Sequence, residues 1–362
     1  MSSQLWQRLV VGFRSVLGPK PGRAESPVTI MEPESDQVDS RAVEETAWQS
    51  DPAPRYEQEE DDSTERVAEV QVVLDRSLEW RSQVLLERPA GSAQLGDGPA
   101  IVTSLQDPEG GVIRQIPFAA QQALAVSRNP MSSVGDLVKL FERDPTLAQS
   151  LLKTANSAWY QRKDEAVVSI AAGVQRIGMQ AVENVLLTSI VAGLLCRPGG
   201  AYGVLVGKVW SHMQRTAPLA QRLAPAFGVD PEMAYTLALL HDVGKLAVFD
   251  YISALRQGLH REIRMPEPFL NEMLVRLHEP VGGRAALRWG LGVRAARALA
   301  EHHRHPVPDT TDPLTELLYV AERLDLAAHV RFEEPDWETL WADGRITTDR
   351  AAVERRYAVE SN

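Results

Sequence analysis

The sequence predicts an all-α protein: a helical subdomain followed by a helical bundle, with a disordered acidic linker in front. Three observations predict it. Apolar residues recur at helical spacing from Pro117 to about His329. No run of alternating β-branched residues marks a sheet there, although a small strand pair before Pro117 stays open. Residues 25–66 carry 14 acidic and 3 basic side chains and few bulky apolar ones, too little apolar surface to offset the entropy of ordering.

Length and composition bound the rest. A chain of 362 residues suits two domains, or one with extensions, and 44% hydrophobic residues supply a sizeable core. The single cysteine, Cys196, forms no internal disulfide; it favours a reducing, cytoplasmic setting and reads as a small buried apolar group. The longest weakly polar run, Val185 to Cys196, falls short of the ~20 residues that span a bilayer. Arg8 and Arg14 interrupt the N-terminal apolar positions, unlike a secretory signal. The net charge of −11 is concentrated in residues 25–66, and the remainder is nearly balanced. That balance does not recommend nucleic acid as a direct partner.

Residues 1–19 hold an amphipathic helix in which Leu5, Trp6, Leu9, Val10, Phe13, Val16 and Leu17 share a face, and Gly18 and Pro21 end it. Residues 4–17 suit peripheral membrane contact, a partner's groove or packing on their own domain. Residues 20–66 form the linker, and its acidic run Glu57–Asp62 reads as solvated. Residues 67–111 are an uncertain connecting region: Val67, Val70 and Leu74 fit a helix, and Val70, Val72 and Leu74 fit a strand.

Residues 112–330 are the main domain. Asp144-Pro145 marks a helix start, with Leu147, Leu151 and Leu152 inward and Asn156-Ser157 at the exit turn. A further helix runs through Ile170, Val174 and Ile177 to a break at Gly178, and another presents Val182, Val185, Leu186, Ile190 and Leu194. Residues 331–362 form a C-terminal helical extension whose Trp337, Leu340 and Trp341 cover the core.

All eight histidines lie at or after position 212. In residues 233–249 an apolar helix leads into His241-Asp242, followed by Gly244-Lys245. A buried imidazole beside a buried carboxylate is costly unless both are satisfied, and a divalent Fe, Mn or Zn ion satisfies both. His212, His278, His302 and His303 lie on or at the ends of other helices, and Glu322 and Asp325 share a face of the helix at 314–328. Together these donors suit a pair of metals, with Lys245 as a contact to phosphate. Singly, each has a structural reading as a helix cap or a satisfied core histidine. His260, His305 and His329 read as solvent-facing.

These residues, in this order, resemble the HD superfamily of metal-dependent phosphohydrolases. A closer resemblance, over roughly 112–330, is to its HDOD branch, the HD-related output domain. It is carried by Asp144-Pro145, Asn156-Ser157, Arg176-Ile177-Gly178, the His241-Asp242-Val243-Gly244-Lys245 segment, His278 and Trp289. The resemblance implies a helical subdomain against an HD-like bundle. It also implies a role in bacterial signal transduction as a non-catalytic output module that binds a signalling protein, with nucleotide or metal as further ligands. The alternative is a metal-dependent phosphohydrolase acting on a nucleotide or cyclic dinucleotide. Its metal ligands would be His212, His241, Asp242, His278, His302, His303 and Glu322. The sequence departs from catalytic HD enzymes at Ala321-Glu322, where they carry Ala-Asp: either the longer Glu322 side chain binds metal or Asp325 substitutes one turn away. It departs from the HD-GYP branch after His303, where the chain runs Arg304-His305-Pro306.

Overall fold

The computed structural model describes residues 62–358 except 88–94, 108–111, 117, 130, 158–159, 161–165, 197–201, 304–311, 332 and 343–345. The helix expected at 4–17 and most of the linker lie outside the described residues, as does His305. The described residues contain helices and no strand.

Helix α1 (Thr64–Leu86) begins inside the stretch assigned to the linker, capped by Ser63, whose Oγ accepts from the Arg66 amide at 3.3 Å. It buries Val70, Leu74, Leu78 and Leu85, while Val72 and Val73 are exposed. The helical alternative for this region therefore holds, because the buried set repeats every four residues and not every two. Helix α2 (Gly98–Gln106) follows and buries Ile101, Val102 and Leu105.

The first half of the domain packs α3 (Phe118–Arg128), α4 (Val134–Glu142) and α5 (Pro145–Ala155) around α6 (Ile170–Leu195). The Asp144 carboxylate accepts from the Leu147 amide at 3.3 Å, the expected cap of α5. Asn156, at the exit turn, accepts from the Val167 amide at 2.7 Å and donates to its carbonyl at 2.9 Å. Gly178 breaks α6 with φ 81° and ψ 168°, a conformation that side chains with a Cβ rarely adopt.

The second half is a bundle of α7 (Gly203–Leu223), α8 (Pro231–Leu240), α9 (Val243–Leu259), α10 (Glu267–Arg288), α11 (Val293–Glu301) and α12 (Pro313–Leu326). Helix α7 packs on α8 and α12, α10 packs on α9 and α11, and α1 lies along α10. The halves meet where α6 touches α8 and α9. At this seam the half-buried Glu232 carboxylate accepts from Tyr160 Oη at 2.6 Å, Asn184 Nδ2 at 2.7 Å and Gln221 Nε2 at 3.0 Å. Trp289 Nε1 donates to the Arg114 carbonyl at 3.0 Å.

Asp62 is not simply solvated: its Oδ1 accepts from the Val293 amide at 2.8 Å and so caps α11. Such a cap across the fold leaves no trace in local composition. Two short helices, α13 (Trp337–Ala342) and α14 (Arg350–Ala358), complete the described chain, with Trp337, Leu340 and Trp341 partly buried against the core. Cys196 is half-buried, and burial pushes its thiol up to about 12. Among the described residues no helix is long and apolar enough to cross a membrane.

Candidate metal centre

Five places in the bundle deliver side chains to one buried point. His212 projects from the middle of α7; His241 and Asp242 form the two-residue join of α8 and α9; His278 lies on α10; His302 and His303 end α11; and Glu322 lies on α12. The join is held against α10 by Gly244. A Cβ there would meet the His278 carbonyl oxygen at 2.0 Å and the Gly282 nitrogen at 2.9 Å. Only glycine lets the two backbones approach this closely.

The donors form two groups, His212, His241 and Glu322 in one, and Asp242, His278, His302 and His303 in the other. Within each, the candidate ligand atoms lie within 4.8 Å of one another. Four imidazoles are oriented by their outer nitrogens. The Nδ1 of His241 contacts the Ala238 carbonyl at 2.7 Å, that of His278 the Leu274 carbonyl at 2.8 Å, and that of His302 the Leu299 carbonyl at 2.8 Å. The Nδ1 of His212 contacts Asp325 Oδ2 at 2.6 Å. A carbonyl or carboxylate oxygen only accepts, so each Nδ1 carries a proton, and in its neutral form each ring presents an Nε2 lone pair inward.

Those lone pairs face one another, with His212 Nε2 and His241 Nε2 3.2 Å apart and His278 Nε2 and His302 Nε2 3.4 Å apart. Two lone pairs so placed repel unless a proton or a cation lies between them. At a metal–nitrogen distance of about 2.1 Å, two ligands on one ion stand about 3.0 Å apart at a right angle and about 3.4 Å apart at a tetrahedral angle. Asp242 lies between the pairs. Its Oδ2 is 3.7 Å from His241 Nε2, and its Oδ1 is 3.5 Å from His278 Nε2 and 3.9 Å from His302 Nε2. Oδ1 is buried and accepts no hydrogen bond. The donor set thus fits divalent cations, with mixed nitrogen and oxygen ligands and an orphaned carboxylate oxygen between two imidazole pairs.

Electrostatics agree with the geometry. Burial lowers His241, His278 and His302, the last to about 3, so these rings stay neutral. Burial alone would raise Asp242, but the Lys245 ammonium together with the His241, His278 and His212 side chains outweighs it and holds the carboxyl well below its usual range. At Glu322 burial is likewise outweighed, here by His303, whose Nδ1 lies 3.0 Å from Oε2, together with His241 and His302. Two carboxylates held in their charged form and three imidazoles held neutral make the centre receptive to cations.

All seven side chains named from sequence as metal ligands meet here. Lys245, named as a phosphate contact, is buried and donates to Asp242 Oδ2 at 2.7 Å. Asp325, the alternative to Glu322, belongs to neither donor group. It stands behind His212, and Arg215 clamps it through Nε at 2.9 Å and Nη2 at 3.0 Å. Spacing could not separate the two acids, because both lie on the inner face of α12, one turn apart. His260 is exposed as expected. His329 is 53% exposed, yet its Nδ1 lies 3.0 Å from Asp325 Oδ1. The sequence reading missed Glu279. This buried acid accepts from the His303 amide at 2.9 Å, and its only local signal was adjacency to His278.

The HDOD domain profile matches residues 113–305, more than half of the chain. The chain belongs to the HDOD domain family. Solved structures share the architecture of this HDOD protein. One from Shewanella amazonensis SB2B, provisionally named a metal-dependent phosphohydrolase, is 15% identical with a TM-score of 0.53, covering 71% of this chain and 98% of its own. A second from that organism, provisionally named a phosphohydrolase, is 22% identical with a TM-score of 0.52, over 72% and 94%. An HDOD domain protein of unknown function from Geobacter sulfurreducens is 19% identical with a TM-score of 0.51, over 72% and 89%. Identities this low carry the fold alone. No curated protein gives a significant match.

Proposed function

We propose that this HDOD protein is a signal-transduction module whose HD-like half binds a pair of divalent metal ions and passes the state of that centre to a protein partner. The observation that carries the reading is the pair of inward Nε2–Nε2 contacts on either side of Asp242, whose Oδ1 has no hydrogen-bond donor. A purely structural core would be expected to satisfy these atoms internally. The output role rests on family membership and on the separate N-terminal segments read from the sequence.

A second reading, phosphohydrolase activity on a nucleotide or cyclic dinucleotide, is favoured by Lys245. Bound metals would supply Lewis-acid polarisation of a phosphate ester and an acidified water. The chain's own contribution is the Lys245 ammonium beside Asp242, the imidazoles anchored through Nδ1, and the helices that exclude bulk water. One experiment addresses both readings. Full-length protein purified without chelator is analysed for Fe, Mn and Zn, then incubated with Mn and a panel of nucleotides and cyclic dinucleotides. The proposal expects about two ions per chain. Fewer than one tightly held ion per chain would overturn it, and turnover of any panel member would select the hydrolytic reading.

A further inference from the structure

Helix α1 lies outside the span matched by the HDOD profile, yet it reaches the metal centre. Its Arg81 Nη1 donates to Glu279 Oε2 at 2.6 Å and to the Arg276 carbonyl at 3.0 Å. The second contact has a cause in sequence. Pro280, inside α10, has no N–H to give to the carbonyl four residues back, and that carbonyl belongs to Arg276. The triplet His278-Glu279-Pro280 therefore builds a receptor with two acceptors, a carboxylate and a freed carbonyl, and one guanidinium fills it. The other Glu279 oxygen accepts from the His303 amide at 2.9 Å. The chain of contacts runs from Arg81 through Glu279 to the backbone turn that carries His302 and His303.

Packing fixes the donor end of this chain. Leu78 and Leu85 on α1 are buried on either side of Arg81, and Leu74 packs against Gly283 of α10. The Arg81 side chain is largely enclosed and Glu279 is buried, so water does not readily replace either partner.

We propose that Arg81 and Glu279 are positioning residues for the metal group containing Asp242, His278, His302 and His303, so that α1 is a working part of the centre. The inference rests on the two-metal reading above. It gives the N-terminal region a physical route to the centre: any partner that shifts α1 changes how the His302-His303 turn is held. The pair touches no ligand atom directly and acts through the backbone of His303.

The test uses the full chain and Co2+ or Mn2+ alone. Wild type is titrated with Co2+ while the visible absorption of the bound ion is followed, and metal content is measured after desalting. Arg81→Ala is expected to weaken one of two binding steps about ten- to hundredfold, as losses behind a ligand generally do, and to leave the other step near wild type. Arg81→Lys, which keeps the charge but not the fork, is expected to fall between. Because Arg81→Ala leaves a buried carboxylate uncompensated, the double variant Arg81→Met with Glu279→Gln removes the charge pair without that cost, and it should show the same selective loss. In metal-free protein the His303 amide should exchange with solvent faster in each alanine or double variant, a readout independent of any ion. Two binding steps of wild-type strength in a folded Arg81→Ala or double variant would overturn the positioning role while leaving the two-metal reading intact. Absence of binding by wild type would overturn that reading, and this one with it.

Discussion

Gly244→Ala should both destabilise the protein and open the centre. The added Cβ would lie 2.0 Å from the His278 carbonyl oxygen, 2.8 Å from its carbon and 2.9 Å from the Gly282 nitrogen. All three are backbone atoms of α10, so no side-chain rotation relieves the clash. Restoring ordinary contact near 3.5 Å requires the helices to part by more than about 1 Å. Overpacking of this kind costs about 3 kcal/mol, which lowers Tm by about 6–12 °C in a domain of this size. The same movement separates Asp242, just before α9, and Lys245 on α9 from His278 on α10, stretching the 3.5 Å Asp242–His278 contact. Far-UV circular dichroism with and without Mn2+ reads the first effect, and metal content after desalting reads the second. A Gly244→Ala protein that melts within about 2 °C of wild type and retains its metal would refute the close-approach argument.

Two further outcomes follow from the same geometry. Metal-free protein should lose stability as the pH falls below about 6.5. Unfolded imidazoles take up protons there, whereas buried His302 resists until about 3 and His241 and His278 are also lowered, so the unfolded state binds more protons across that interval. Urea midpoints between pH 7.5 and 4.5 that do not fall with acid would contradict neutral buried rings. Asp325→Ala removes the acceptor that fixes His212 Nδ1 at 2.6 Å, so metal affinity of the folded variant should drop about ten- to hundredfold. Unchanged Co2+ binding by this variant would show that Asp325 does not orient His212.

The Asp144 cap, the Asn156 exit turn and the Gly178 break were legible because each is a local event, decided within a few residues of backbone. The convergent cluster was legible for a different reason: several histidines together with a His241-Asp242 pair form a pattern of residue types that packing alone seldom requires. Helix α1 was ambiguous because Val70 and Leu74 satisfy two periods at once, and only their burial against α10 chooses between them.

By itself, the sequence determined the helical class, the order of the donors and their chemical kind, since period, capping and ligand identity are properties of short segments. The tertiary structure alone decided that Glu322 faces the centre while Asp325 stands behind His212, that Asp62 caps a helix more than two hundred residues away, and that Arg81 reaches Glu279. Those contacts join residues far apart in the chain. They exist only once helix packing has fixed which turn of each helix faces inward, and no local spacing encodes that choice.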